Sequence, residues 1–182
     1  GTLWGWGRNN YGQLGQNEPS NSHYSSPVQI PGTWSEAKIG SALSIAVNTS
    51  GELFTMGFNN DGALGINVKT GSRSSPCQVP GTTWKQGTVN TYNMAATKTD
   101  GTLWAWGAND SGALGQNSIT YYSSPVQIPG STWSIVDGNS SQGFMAVKTD
   151  GTLWVWGRNS TGMLGQNEDS AQMYSSPVQI PG

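Results

Sequence analysis

Gly101-Thr-Leu-Trp-Ala-Trp-Gly-Ala-Asn-Asp-Ser-Gly-Ala-Leu-Gly115 is the stretch that decides how this chain folds. The same phrase stands at residues 1–15 and 151–165, and at 51–65 with Phe54 and Met56 replacing the paired tryptophans. Its opening glycines, Gly1, Gly51, Gly101 and Gly151, are 50 residues apart. A self-similar period in this range belongs to repeat architectures, whose units bury their apolar faces only against neighbours. Positions that recur in every copy serve that stacking. Recognition of anything outside the repeat is expected where the copies differ.

Four strand signals recur in each unit. A Trp-led stretch covers 34–39, 84–89 and 133–136, and small and apolar residues follow at 44–48, 94–98 and 144–148. The third strand is 3–7, 53–57, 103–107 and 153–157, and the fourth is 27–30, 76–79, 125–128 and 177–180. Each is short, rich in aromatic or β-branched residues, and bounded by Gly, Pro, Asn or Asp. No stretch holds a 3.6-residue apolar period, so essentially no helix is expected.

Between the second and third strands stands Thr-Asp-Gly-Thr at 99–102 and 149–152, with Thr-Ser-Gly-Glu at 49–52. Asp-Gly suits a tight hairpin, because glycine accepts positive φ without a Cβ clash. Asp100 and Asp150 therefore read as turn formers rather than catalytic carboxylates. After the third strand, Gly-x-Asn-x-x-Gly-x-Leu-Gly recurs in all four copies. Its glycines permit reversals, its leucine plugs the core, and its asparagine can satisfy backbone groups in the turn. It lacks the Lys-Ser/Thr of a phosphate-binding loop and leads into no helix, which argues against a nucleotide site.

Both faces of the third strand carry apolar or small residues. Trp104 and Trp106 are expected against one neighbour, Leu103 and Ala105 against the other. A strand apolar on both faces must be covered on both, as when sheets stack side by side. The chain is thus predicted all-β, a β-propeller of four-stranded antiparallel blades. The half blade is 1–31 and complete blades are 33–80, 82–129 and 131–180, a single propeller segment of about three and a half blades. A seven-bladed ring at this period needs about 350 residues. The chain is therefore expected to be part of a longer one. The alternative is that another copy or a different protein covers its open edges.

The motif Leu-Trp-x-Trp-Gly-x-Asn-x-x-Gly-x-Leu-Gly, with the Trp-led strand, Asp-Gly and Pro-Val, resembles the regulator of chromosome condensation repeat family. Residues 101–115 and 151–165 match it closely, 1–15 nearly as well and 51–65 more loosely. The wording is similar to bacterial and phage members. The resemblance implies a propeller, typically seven-bladed, used mostly for binding proteins. Family repeats often carry a histidine in the second strand, where this chain has Leu43, Asn93 and either Gln142 or Gly143.

Composition narrows the function classes. Charged residues are 10% and the formal net charge is −2, so the surface is built mainly from Ser, Thr, Asn, Gln and Gly. The eight Lys and Arg are scattered singly, which speaks against a nucleic-acid groove or a polybasic membrane patch. No apolar run is long enough to insert in a bilayer as a helix. Cys77 stands where other copies have Val28, Val126 and Val178, and is expected to be a small buried hydrophobe. His23 is the only histidine, and no carboxylate pair or nucleophile with a base stands at usable spacing. No enzyme, cofactor or metal site is expected. Asn48, Asn109, Asn139 and Asn159 fit the N-glycosylation pattern, although Asn109 and Asn159 are already explained by the turn motif.

In a four-stranded meander the first-to-second and third-to-fourth connections share one face. In this chain those connections hold the differences between copies. The candidate binding residues there are His23, Tyr24, Lys69, Arg73, Tyr92, Tyr121, Tyr122, Met173 and Tyr174. Tyrosine among Ser, Asn and Gly suits adaptable protein contacts. Equally, Tyr24, Tyr122 and Tyr174 precede the Ser-Ser-Pro of the outer strand and can simply pack on the blade. Glu18, Glu168 and Asp169 lie on polar loops. The leading expectation is a non-enzymatic protein-binding or structural module, exposed in a secreted or virion-associated assembly such as a phage appendage or adhesin. The alternative, implied by the resemblance, is a regulator acting by protein contact: an enzyme inhibitor or a small-GTPase exchange factor.

Overall fold

The computed structural model describes residues 1–18, 22–138, 142–168 and 172–181. Asn139 and Asp169 lie outside the described residues. β1 (Leu3–Gly7) and β2 (Tyr24–Ile30) form a two-stranded sheet. β3 (Trp34–Ile39), β4 (Leu43–Asn48), β5 (Leu53–Gly57) and β6 (Arg73–Gln78) form the first four-stranded one. β7 (Trp84–Val89), β8 (Asn93–Lys98), β9 (Leu103–Gly107) and β10 (Tyr122–Ile128) form the second. β11 (Trp133–Gly138), β12 (Gly143–Lys148), β13 (Leu153–Arg158) and β14 (Met173–Gln179) form the third. Every pair is antiparallel and sequential in the chain. Among the described residues there is no α-helix; the short turns Asn60–Gly62 and Ser160–Gly162 come nearest, and each holds a residue at positive φ, Asp61 at +64° and Thr161 at +69°. No helix there is long and apolar enough to cross a membrane.

Tryptophans fasten blade to blade. Trp106 is fully buried and joins Leu43, Leu53, Leu64 and Trp84 in one core, while Leu103 and Ala105 on the same strand's other face enter the next. That next core holds Trp156, also fully buried. The last glycine of the repeat motif makes room for this packing. At Gly65, φ is +68° and a Cβ would lie 2.6 Å from the Trp106 Nε1, so only glycine fits. Trp6, the same position on β1, is instead 61% exposed, and Trp4, the counterpart of half-buried Trp104, is 49% exposed.

The first strands of successive blades lie side by side and are tied by side chains. Gln86 donates to the Val136 carbonyl at 2.8 Å and accepts from the Val136 N–H at 3.2 Å. Glu36 accepts from the Gly87 N–H at 2.9 Å, and Thr88 donates to Asp137 at 2.9 Å. Burial pushes the Glu36 carboxyl above its ordinary value, against the lowering effect of the Gly87 bond and Lys38.

Turn and core expectations meet the structure in detail. Asp100 accepts from the Thr102 hydroxyl at 2.7 Å and its N–H at 2.9 Å, and Asp150 does the same with Thr152 at 2.7 and 3.0 Å. The outer strands differ from expectation. They begin at Tyr24, Arg73, Tyr122 and Met173, upstream of the prolines at which the sequence pattern starts them. Each pairing shifts register near its proline: Gly5 faces Val28, yet Gly7 faces Tyr24. The proline sits in the bulge of an edge strand, where its missing N–H needs no ladder partner. Cys77, expected buried, is only half-buried on β6. Gly143, rather than Gln142, is the counterpart of Leu43 and Asn93, since all three pair with the last glycine of the third strand.

Candidate interaction face

The constant part of the repeat builds a platform for its variable part. Asn9, Asn59, Asn109 and Asn159 are fully buried and accept from the N–H of Leu14, Leu64, Leu114 and Leu164 at 2.9–3.0 Å. In two copies the same amide also donates into the following loop. Asn59 reaches the carbonyls of Val68 and Thr70 at 3.1 and 3.2 Å, and Asn109 those of Ser118 and Thr120 at 2.9 and 3.0 Å. One buried side chain thereby fixes both ends of a third-to-fourth connection. The first-to-second turn is bound to the same place. The N–H groups of Phe58, Ala108 and Arg158 donate to the carbonyls of Ala42, Tyr92 and Gln142 at 2.9, 3.1 and 3.2 Å.

On that platform three aromatic rings from consecutive repeats stand in a row. Tyr11 meets Phe58 edge-on at 5.1 Å between centroids, and Phe58 meets Tyr92 at 5.9 Å. They border a shallow depression of about 200 Å³, with Arg8 and Ser41 on its rim. Tyr92 is 41% exposed and was legible from the variable turns. Arg8, Tyr11 and Phe58 were not, because they lie inside the constant motif at its x positions. Comparing those positions alone gives the signal: Arg8, Phe58, Ala108 and Arg158 share one slot.

None of the remaining predicted residues lines this depression. Tyr24, Arg73, Tyr122, Met173 and Tyr174 belong to the outer strands β2, β6, β10 and β14 rather than to loop tips. Tyr122 and Tyr174 pack against the core, as the packing alternative has it. The Tyr174 hydroxyl donates to Glu168 at 2.5 Å, and that bond holds the phenol above its ordinary value. Tyr121 donates to Asp110, which pushes its phenol up to about 12. Exposed His23 accepts from the Asn9 N–H through Nδ1 at 3.2 Å. Arg73 donates to the Gly71 carbonyl at 2.7 Å, and Met173 and Lys69 are exposed. No three His, Cys, Asp or Glu side chains among the described residues are placed to hold a metal ion.

The repeat phrase, the four-stranded blades and the asparagine-anchored loops coincide with a known family model. The regulator of chromosome condensation (RCC1) repeat matches residues 1–47, 50–86, 100–137 and 150–182. The chain belongs to this family. No curated protein matches it. Among solved structures, human WBSCR16 is similar over 98% of this chain and 47% of its own, with TM-score 0.82 and 23% identity. Prp20p from Saccharomyces cerevisiae, described with its binding properties to Gsp1p and histones, is similar at TM-score 0.80 and 19% identity, covering 100% and 46%. Yeast RCC1 (Prp20) bound to Kap60 is similar at 0.83 and 16%, covering 100% and 45%. The likeness at these identities is one of fold, an RCC1-type β-propeller. The RCC1-repeat chain described here spans about half the length of each.

Proposed function

We propose that this chain is a non-enzymatic protein-binding segment of a propeller, and that it meets its partner through the face carrying Tyr11, Phe58 and Tyr92. The row of rings across three repeats carries this reading. Aromatic side chains that are half-exposed yet held by a hydrogen-bonded scaffold supply contact area with little ordering cost on binding. The yeast neighbours, whose described partners are proteins, support the class of function and do not identify the partner. A photo-crosslinking residue at Tyr92, and separately at Thr99 on the opposite face, tests it in the source cell. Protein adducts at position 92 and none at 99 support the reading. The reverse pattern overturns it.

The bare tryptophans on β1 favour a second contact. Trp6 occupies the position that stacking buries completely at Trp106 and Trp156, and Trp4 the one half-buried at Trp104 and Trp154, so a further blade-like sheet on this surface completes the pattern. The polar, weakly charged composition favours an exposed assembly outside the cell or on a virion, while the neighbours' described partners favour regulation by contact. Which proteins crosslink at Tyr92 separates the two.

A further inference from the structure

We propose that the depression at Tyr11, Phe58 and Tyr92 takes an acidic, extended segment of a partner protein, with an apolar side chain on Phe58 and a carboxylate against Arg8. The proposal rests on the reading of this face given above and deepens it to a partner chemistry. Three main-chain acceptors in the depression are engaged: the Ser41 carbonyl by Gln13 Nε2 at 3.1 Å, that of Ala42 by the Phe58 N–H at 2.9 Å, and that of Tyr92 by the Ala108 N–H at 3.1 Å. Its donors are not. Among the described residues neither the exposed Arg8 guanidinium nor the hydroxyls of Tyr11 and Tyr92 have a hydrogen-bond or ion-pair partner.

An acceptor-rich group complements such a site. A carboxylate takes charge-assisted bonds from a guanidinium, and these are the stronger hydrogen bonds of protein surfaces. Arginine and tyrosine around an aromatic ring form the composition that concentrates interface energy. A volume of about 200 Å³ suits one apolar side chain beside that carboxylate. Single-stranded nucleic acid also stacks on aromatic rings, but it requires a groove of cations along its backbone. Among the described residues Arg8 is the one cation lining the depression, on a chain with net charge −2. A protein segment is the better fit.

The test is selection from a displayed library of random short peptides against the whole chain, repeated with Arg8→Gln, with Tyr92→Ser and with Lys69→Ser on the outer loop of the same face. Near-ultraviolet circular dichroism first establishes that each variant is folded. The expected result is enrichment of peptides carrying Asp or Glu beside an aromatic residue or proline. Arg8→Gln should weaken these by roughly tenfold, Tyr92→Ser should weaken them comparably, and Lys69→Ser should change little. Replacing the acids with Asn or Gln in a selected peptide should reproduce the Arg8→Gln loss. Peptides that need Tyr92 but carry no acid overturn the acidic partner and leave the face reading standing. No enrichment, enrichment indifferent to both variants, or tighter binding of an oligothymidylate overturns this proposal. Indifference to both variants also counts against the face itself.

Discussion

Trp106 donates its indole N–H to the backbone carbonyl of Ala63 in the preceding blade at 3.1 Å, and Trp156 repeats the bond to Ala113 at 2.8 Å. The donor and its acceptor are 43 residues apart each time. Each bond satisfies a carbonyl that stacking has taken out of water, so burial and polar satisfaction act at the same point.

Trp106→Ala should therefore cost about 3–5 kcal/mol through cavity formation and the orphaned carbonyl. Trp106→Phe, which keeps most of the volume, should cost about 1–3 kcal/mol. Trp6→Ala, at a position 61% exposed, should stay within about 1 kcal/mol. Urea unfolding followed by tryptophan fluorescence separates the three. Equal losses at Trp6 and Trp106 would contradict the stacking account.

Glycines of the motif should divide by what their missing Cβ would strike. At Gly62 the φ is +78° and a Cβ would lie 2.5 Å from the Ser123 backbone, whereas at Gly151 φ is +86° and nothing stands within 4 Å. Gly151→Ala should cost only the conformational strain, about 1 kcal/mol. Gly62→Ala forces the neighbouring blade to shift and should cost on the order of 3 kcal/mol or more. Calorimetric melting of the two variants tests the difference.

Asn109 should be a structural residue and not a glycan acceptor. Its side chain is fully buried and its three hydrogen bonds span the loop. Asn109→Ala should destabilise by on the order of 3 kcal/mol because buried backbone groups lose their partners. Expressed in a glycosylating host, folded protein should carry no glycan at Asn109 or Asn159, which intact-mass and peptide mass spectrometry reads directly.

The fold was legible because its determinants are periodic and local: a strand apolar on both faces, Asp-Gly turns, and a motif returning every 50 residues. The outer strands were read short because proline looks like a boundary, and only the register shift beside each proline shows that pairing resumes upstream. The candidate site was partly hidden for a related reason. Tyr11 and Phe58 share the motif with the asparagines that anchor it, so constancy of the frame masked variation within it. The Tyr121 hydroxyl is held by an acid eleven residues away, a pairing no local pattern announces.

Acid should loosen the hairpin turns. The Thr102 hydroxyl and N–H on Asp100, and the Thr152 N–H and hydroxyl on Asp150, hold both carboxyls below the usual 3.8. Stability from a depressed carboxyl is present above its unfolded value and is lost as pH falls through the folded one. Melting temperature should thus decline below about pH 4. An Asp100→Asn, Asp150→Asn double variant should show a shallower decline over the same range.

The most direct measurement is oxidative footprinting of this chain in its native complex. Protection of Tyr11, Phe58 and Tyr92, with Trp104 and Trp154 near the opposite face reacting as in the free chain, is the predicted result. Unchanged oxidation of those three rings while the Thr-Asp-Gly-Thr side becomes protected would contradict the assignment of the binding face.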